Sequence, residues 1–209
     1  MDRRRFLASM LLTTLLAACG KRGGFAAVPR GALVLAFGDS VTYGTGAAQG
    51  EDWPSLLAGE TGWEIVNAGV PGDTAQAGKA RIQELLDEHR PALVIVEIGG
   101  NDFIRRRSRA EVAEDVRSII RAVKQAGAQL VLVAVPELSL LGAVAGKPSD
   151  APLYAELARA EGVPLVADVF SGVLGQPALR ADRIHPNAAG YRRMASGILE
   201  ALRELGLAQ

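Results

Sequence analysis

The chain has one cysteine and two histidines in 209 residues, and both scarcities exclude chemistry. A lone Cys19 cannot form an internal disulfide. With His89 and His185 far apart and no second cysteine, no zinc-type ligand cluster is spelled out, so neither a metal nor another cofactor is expected. Long basic runs are missing too: past Arg5 the longest is Arg105 to Arg107. Lys plus Arg and Asp plus Glu are 23 each, so nucleic acid is not an expected partner. No apolar stretch approaches the roughly 20 residues that a spanning helix needs.

What the sequence does have is apolar content, 49% of it, enough for one compact domain with a real core. The first segment stands outside that core. Asp2-Arg3-Arg4-Arg5 is a charged start, Phe6 to Ala18 is almost wholly apolar, and Leu16 to Gly20 closes it with small residues around Cys19. This is the layout of an export signal. Leu-Ala-Ala-Cys resembles the lipobox of bacterial lipoproteins, which implies cleavage after residue 18 and lipid on Cys19. An ordinary secreted protein with a chance cysteine is the alternative. Arg3 to Leu7 also resembles a twin-arginine export motif. Without residues 1–18 the chain keeps 20 basic and 22 acidic groups, so membrane attachment would come from lipid and not from charge. Lys21 to Gly31, rich in glycine and basic residues, makes 19–31 the lipidated Cys with a flexible tether, and the folded domain is expected over 32–209.

Within that domain short apolar runs alternate with helical patterns. Ala32 to Phe37, Glu64 to Asn67, Leu93 to Ile98, Leu130 to Val135 and Leu165 to Asp168 are the expected strands. Trp53 to Glu60, Thr74 to His89, Ala110 to Ala126, Ala151 to Glu161 and Ala188 to Leu205 have helical periodicity. Neither an internal repeat nor a second domain is visible. Steady alternation of this kind predicts an α/β fold: a single-domain three-layer α/β/α sandwich with a five-stranded parallel sheet. Such sheets bind ligands at the carboxyl ends of their strands.

Ser40 follows directly from the first strand, where that rule puts a site. Position alone favours a helix cap or turn residue. No serine of the chain lies in Gly-x-Ser-x-Gly, so the α/β-hydrolase nucleophile elbow is absent. A serine nucleophile needs a base, usually His oriented by a carboxylate. His89 ends an amphipathic helix and reads as a solvated side chain near its C-terminus. His185 instead sits in ADRIHPNAAGY, three residues after Asp182, a spacing that lets a tight turn set a carboxylate beside the imidazole.

Gly38-Asp39-Ser40, Asn67 to Thr74, Gly99-Gly100-Asn101-Asp102 and Asp182 to Asn187 occur in that order. Together they resemble the four blocks of the SGNH, or GDSL, hydrolase family, especially its bacterial periplasmic thioesterase, lysophospholipase and arylesterase members. The resemblance runs from about Leu33 to the last helix and implies the flavodoxin-like fold of that family. It makes Ser40 the nucleophile, His185 the base and Asp182 its orienting acid, with an oxyanion hole of the Ser40 and Gly72 backbone N–H groups and the Asn101 amide. Each has a plainer reading: Pro71-Gly72 as a turn, Asn101 or Asp102 as a helix cap. Asp39 is expected to hold the serine loop through hydrogen bonds to backbone.

The implied activity is hydrolysis of short to medium acyl esters or thioesters by an exported, membrane-anchored enzyme of the cell envelope, expected to be a monomer. A glycan acetylesterase and a catalytically silent binding lipoprotein are the alternatives. Residues 136–153, with Leu138, Leu140, Leu141 and Val144 among glycines, are a candidate acyl-pocket segment or a packed surface loop.

Overall fold

The computed structural model describes residues 25–137 and 148–209. Strands β1 (Leu33–Gly38), β2 (Glu64–Gly69), β3 (Leu93–Glu97), β4 (Gln129–Val133) and β5 (Leu165–Val166) form one parallel sheet in the order β2-β1-β3-β4-β5. The order reverses between β1 and β3, the two central strands, whose inner residues are buried on both faces. That accounts for their unbroken apolar runs. Helices α1 (Ser40–Tyr43), α2 (Trp53–Thr61), α3 (Ala75–His89), α4 (Gly100–Ile104), α5 (Arg109–Gln125), α6 (Pro152–Glu161), α7 (Val169–Leu174) and α8 (Ala188–Glu204) connect and cover the strands. Helices α3, α5 and α6 pack together as one layer, and α2, α7 and α8 as the other.

Local chemistry places the helix starts. Ser108 and Glu111 form a reciprocal capping box at α5, Asp52 caps α2 with Pro54 in its first turn, and Asn187 accepts from Gly190 at α8. The expected long helices stand within two residues of their predicted ends. Helices α1, α4 and α7 have no counterpart in the predicted elements, because four to six residues are too few to display a 3.6-residue period. Strand β5 stops at Val166, two residues early. Asp168 turns to a left-handed φ of 60° and its N–H donates to Asp150 Oδ2 (2.6 Å), which starts α7 instead.

The expected tether is corrected in its last residues. From Ala26 onward the chain is fastened to the amino-terminal side of the sheet. Ala26 exchanges two hydrogen bonds with the Gln129 side chain (2.9 and 2.8 Å), and buried Val28 donates to Leu207 O (2.8 Å). Trp63 Nε1 donates to Val28 O (3.2 Å). A buried valine with satisfied backbone holds this stretch against the sheet. The expected signal segment 1–18 and Cys19 lie outside the described residues, as do Leu138, Leu140, Leu141 and Val144. The ends of that last segment are tied by an antiparallel bridge between Pro136 and Asp150.

Candidate active site

The carboxyl ends of β1, β2 and β3 and the loop before α8 meet at one corner. At β1 the chain turns sharply at Gly38, where a Cβ would stand 2.1 Å from Thr42 Oγ1 and 2.2 Å from Glu97 O; only glycine fits so close an approach. The cap of the short helix α1 is Asp39, whose Oδ1 accepts from Val41 N–H (3.0 Å), so Ser40 is a helical residue and not the cap. Its hydroxyl is free to face the last loop.

There Ser40 Oγ lies 2.9 Å from His185 Nε2, and His185 Nδ1 lies 2.7 Å from Asp182 Oδ2. A carboxylate only accepts, so Nδ1 carries the proton and Nε2 turns its lone pair to the serine hydroxyl. Asp182 Oδ1 accepts from Ile184 N–H and His185 N–H (both 2.8 Å), closing the three-residue turn that the sequence spacing suggested. Partial burial pushes the Asp182 carboxyl up, but the bonds from His185 and the two backbone N–H groups more than offset it and hold it below the ordinary aspartate value. Asn187 ties the loop down through Nδ2 to Ala178 O (2.9 Å). Gly46, at φ +102°, lets the loop after α1 lie against Pro186 and Ala181.

Asn101, the second residue of α4, is not a cap either; Gly99 holds that position without a side-chain bond. Its Nδ2 donates to Asp39 Oδ2 (3.2 Å) and to Asp73 O (2.9 Å), thereby linking the residue before Ser40 to the residue after Gly72. Gly72 is exposed in the β2–α3 loop at φ +86°, and its carbonyl accepts from Arg105 Nη2 (3.0 Å). Asp102 caps a neighbouring helix: its Oδ2 accepts from Ala75 N–H at the start of α3 (2.8 Å), while Oδ1 pairs with Arg107 (2.6 Å). His89 closes α3 beside Glu88, about 20 Å from that helix's start at 1.5 Å per residue, and takes no part.

Two residues beneath this corner, Glu97 and Arg81, escaped the sequence reading. Glu97 is fully buried with Oε2 accepting from Thr42 Oγ1 (2.8 Å), and its Oε1 has no partner among the described residues. Burial, and then the nearby Asp39 carboxyl, push its pKa well above the usual glutamate range. Burial also lifts Asp39 to about 6 against the lowering effects of the Val41 bond and of His185. Arg81 grips β1, β2 and Asp73. A charged residue ending an all-apolar strand, as in Leu93-Val94-Ile95-Val96-Glu97, was the available signal for Glu97; Arg81 carried none, since its partners are distant in sequence.

Comparison with known proteins identifies relatives of this arrangement. Residues 36–193 match the model of the GDSL-like Lipase/Acylhydrolase family. The chain is 31% identical to Esterase TesA of Pseudomonas aeruginosa, over 82% of this chain and 88% of that one. It is 32% identical to the Thioesterase 1/protease 1/lysophospholipase L1 of Escherichia coli, over 82% of this chain and 84% of the other. Among solved structures, the crystal structure of TesA superposes with a TM-score of 0.73 at 30% identity, covering 83% of this chain and 99% of that one.

Proposed function

The chain belongs to the GDSL-like lipase/acylhydrolase family and is an ester hydrolase; on that premise we propose that Ser40, His185 and Asp182 carry out the hydrolysis through an acyl-enzyme. The observation that carries this reading is the continuous chain from Ser40 Oγ to His185 Nε2 (2.9 Å) and from Nδ1 to Asp182 Oδ2 (2.7 Å).

In the first step Nε2 takes the hydroxyl proton as Oγ bonds to the carbonyl carbon of an ester or thioester. The imidazolium, stabilised by Asp182, then passes that proton to the departing alcohol or thiol as its bond to carbon breaks. In the second step water attacks the acyl-Ser40 ester, giving its proton to Nε2. Collapse of the second tetrahedral intermediate returns a proton to Oγ and frees the acid. Negative charge on the carbonyl oxygen is met by N–H donors of Ser40, Gly72 and Asn101. Both hydrogens of the Asn101 amide are already shared with Asp39 and Asp73, so the oxygen exchanges with one of these acceptors instead of meeting an undirected donor.

The substrates we assign are esters or thioesters with short to medium acyl chains. Tyr43 (58% exposed), Val70 (40%) and Ile104 (47%) support this. Each lies within three residues of Ser40, Gly72 or Asn101 in the chain, so exposed apolar side chains flank the site segments beside the polar Arg105 and Asp182. We also assign export and a lipid anchor on Cys19, supported by the charged start, apolar run and Leu-Ala-Ala-Cys of the sequence. A series of p-nitrophenyl esters from acetate to decanoate, run on wild type and Ser40→Ala, tests the assignment. Serine-dependent turnover that rises with chain length and then falls is the expected result. Fast turnover of acetylated glycans, with no preference among acyl lengths, would overturn the acyl assignment.

A further inference from the structure

Arg81 lies half-buried on α3, away from the reacting atoms, yet its guanidinium binds the ends of β1 and β2 and the loop that carries Gly72. Nη2 donates to Gly38 O (2.9 Å), two residues before Ser40. Nη1 donates to Ala68 O (2.9 Å), at the end of β2, from which the Gly72 loop departs. Nε donates to Asp73 Oδ2 (2.7 Å), the residue after Gly72, and Asp73 O in turn receives Asn101 Nδ2 (2.9 Å). The guanidinium carbon sits 4.2 Å from the centroid of the Phe37 ring, which fixes the plane of the fork.

We propose that Arg81 is a positioning residue that sets the spacing of the three oxyanion donors, Ser40 N–H, Gly72 N–H and Asn101 Nδ2. The inference rests on the role given above to those donors and adds to it what holds them. Gly38 O and Ala68 O stand at the last two register pairs of two adjacent parallel strands, where Gly38 O also accepts from Val70 N–H (3.1 Å), so the guanidinium adds a second bond at the point where the chains leave the sheet. A rigid planar fork joins these carbonyls to the Asp73 carboxylate at fixed mutual distances. Lysine, a point charge on a flexible stem, cannot reproduce three divergent bonds and a stacked plane. Arg81 and Asp73 thereby restrain the loop bearing Gly72, an exposed residue at positive φ that is also held by Arg105 at its carbonyl.

The test is Arg81→Lys, compared with wild type on a water-soluble p-nitrophenyl ester and on an alkyl boronic acid. The tetrahedral adduct of that acid with Ser40 presents an oxygen to the same donors. Because displacement of a reacting group by about 1 Å costs roughly 10²-fold, kcat should fall by about that factor. KM should change by less than about threefold, and boronate affinity should fall in step with kcat. Arg81→Lys added to Asn101→Ala should cost much less than it does alone. Asp73→Asn, which leaves the Gly38 and Ala68 bonds in place, should show the same pattern more weakly and serves if the Lys variant does not fold. Wild-type kcat in these variants would overturn the proposal, as would a loss confined to KM or to Tm, or full additivity with Asn101→Ala. An inactive Ser40→Ala beside a fully active Arg81→Lys sinks the role of Arg81 alone. Turnover surviving in Ser40→Ala sinks the underlying reading.

Discussion

The two halves of the site are built differently. On the Ser40 side the supports Asp39, Thr42 and Glu97 are buried, and the site is held by partners far away in sequence: Thr42 by Glu97, Asn101 by Asp39 and Asp73, and the strand ends by Arg81. On the His185 side the side chains are more open, 13% exposed for His185 and 55% for Asp182, and the turn is closed by bonds within three residues. Their electrostatics are opposite as well. Asp182 is held below its ordinary pKa by hydrogen bonds, whereas Asp39 and Glu97 are pushed up by burial. Under the proposed mechanism the difference is a division of labour: a rigid platform fixes nucleophile and donors, and a self-contained turn delivers a base that must move protons and release product.

The largest effect expected on either side is at the base. His185→Ala should lower kcat by several orders of magnitude, up to the ~10⁶-fold seen when a serine hydrolase loses its triad histidine, with Tm little changed because its supports are local. Single-turnover kinetics on an activated ester would check this, and a loss below tenfold would remove His185 from the chemistry. Asp182→Asn should follow with a loss below the ~10⁴-fold seen for a buried triad aspartate, because solvent can partly replace a half-exposed carboxylate. A loss equal to that of His185→Ala would mean the two halves are less separable than the geometry indicates.

Asn101→Ala should lower kcat by about 10²–10³-fold, the range for one oxyanion donor, with KM nearly constant. It should also perturb the platform, since the amide ties Asp39 to Asp73; differential scanning of the variant reads that directly. A KM effect without a kcat effect would make Asn101 a binding residue.

The smallest and most pH-specific effect belongs to Glu97. Folded Glu97 holds its proton more tightly than the unfolded chain does. Its contribution to stability is therefore complete below the ordinary glutamate pKa and is lost progressively as pH rises through the folded value. Glu97→Gln has no proton to lose, so its Tm relative to wild type should be higher at pH 8 than at pH 5, by a few degrees at 2–4 °C per kcal/mol for a chain of this size. An identical difference at both pH values would show that folding does not raise the Glu97 pKa. Asp182→Asn should not reproduce the trend, because the Asp182 pKa is shifted the other way.

The same contrast governs what the sequence made legible. The Asp182 to His185 turn was readable because its determinants are three residues apart, and the parallel sheet because β1 and β3 are continuous apolar runs. Ser40 was ambiguous between cap and nucleophile until its distant partner was considered; the structure gives the cap to Asp39. Arg81 and Glu97 were not singled out, since their meaning lies in contacts 43 residues away for Gly38 and 55 residues away for Thr42. Helices α1 and α4 are too short for periodicity, although they carry Ser40 and Asn101. The tether was misjudged at its end because composition registered the glycines and not the pocket that receives Val28.

We propose that the platform of buried supports presents Ser40 as a nucleophile activated by the open turn. The most direct measurement is stoichiometric labelling with an alkyl fluorophosphonate followed by peptide mapping, on wild type and His185→Ala. One label per chain is expected, on Ser40, formed in wild type and slowed by orders of magnitude without His185. Label on another residue, or labelling of Ser40 at the same rate in both proteins, would contradict it.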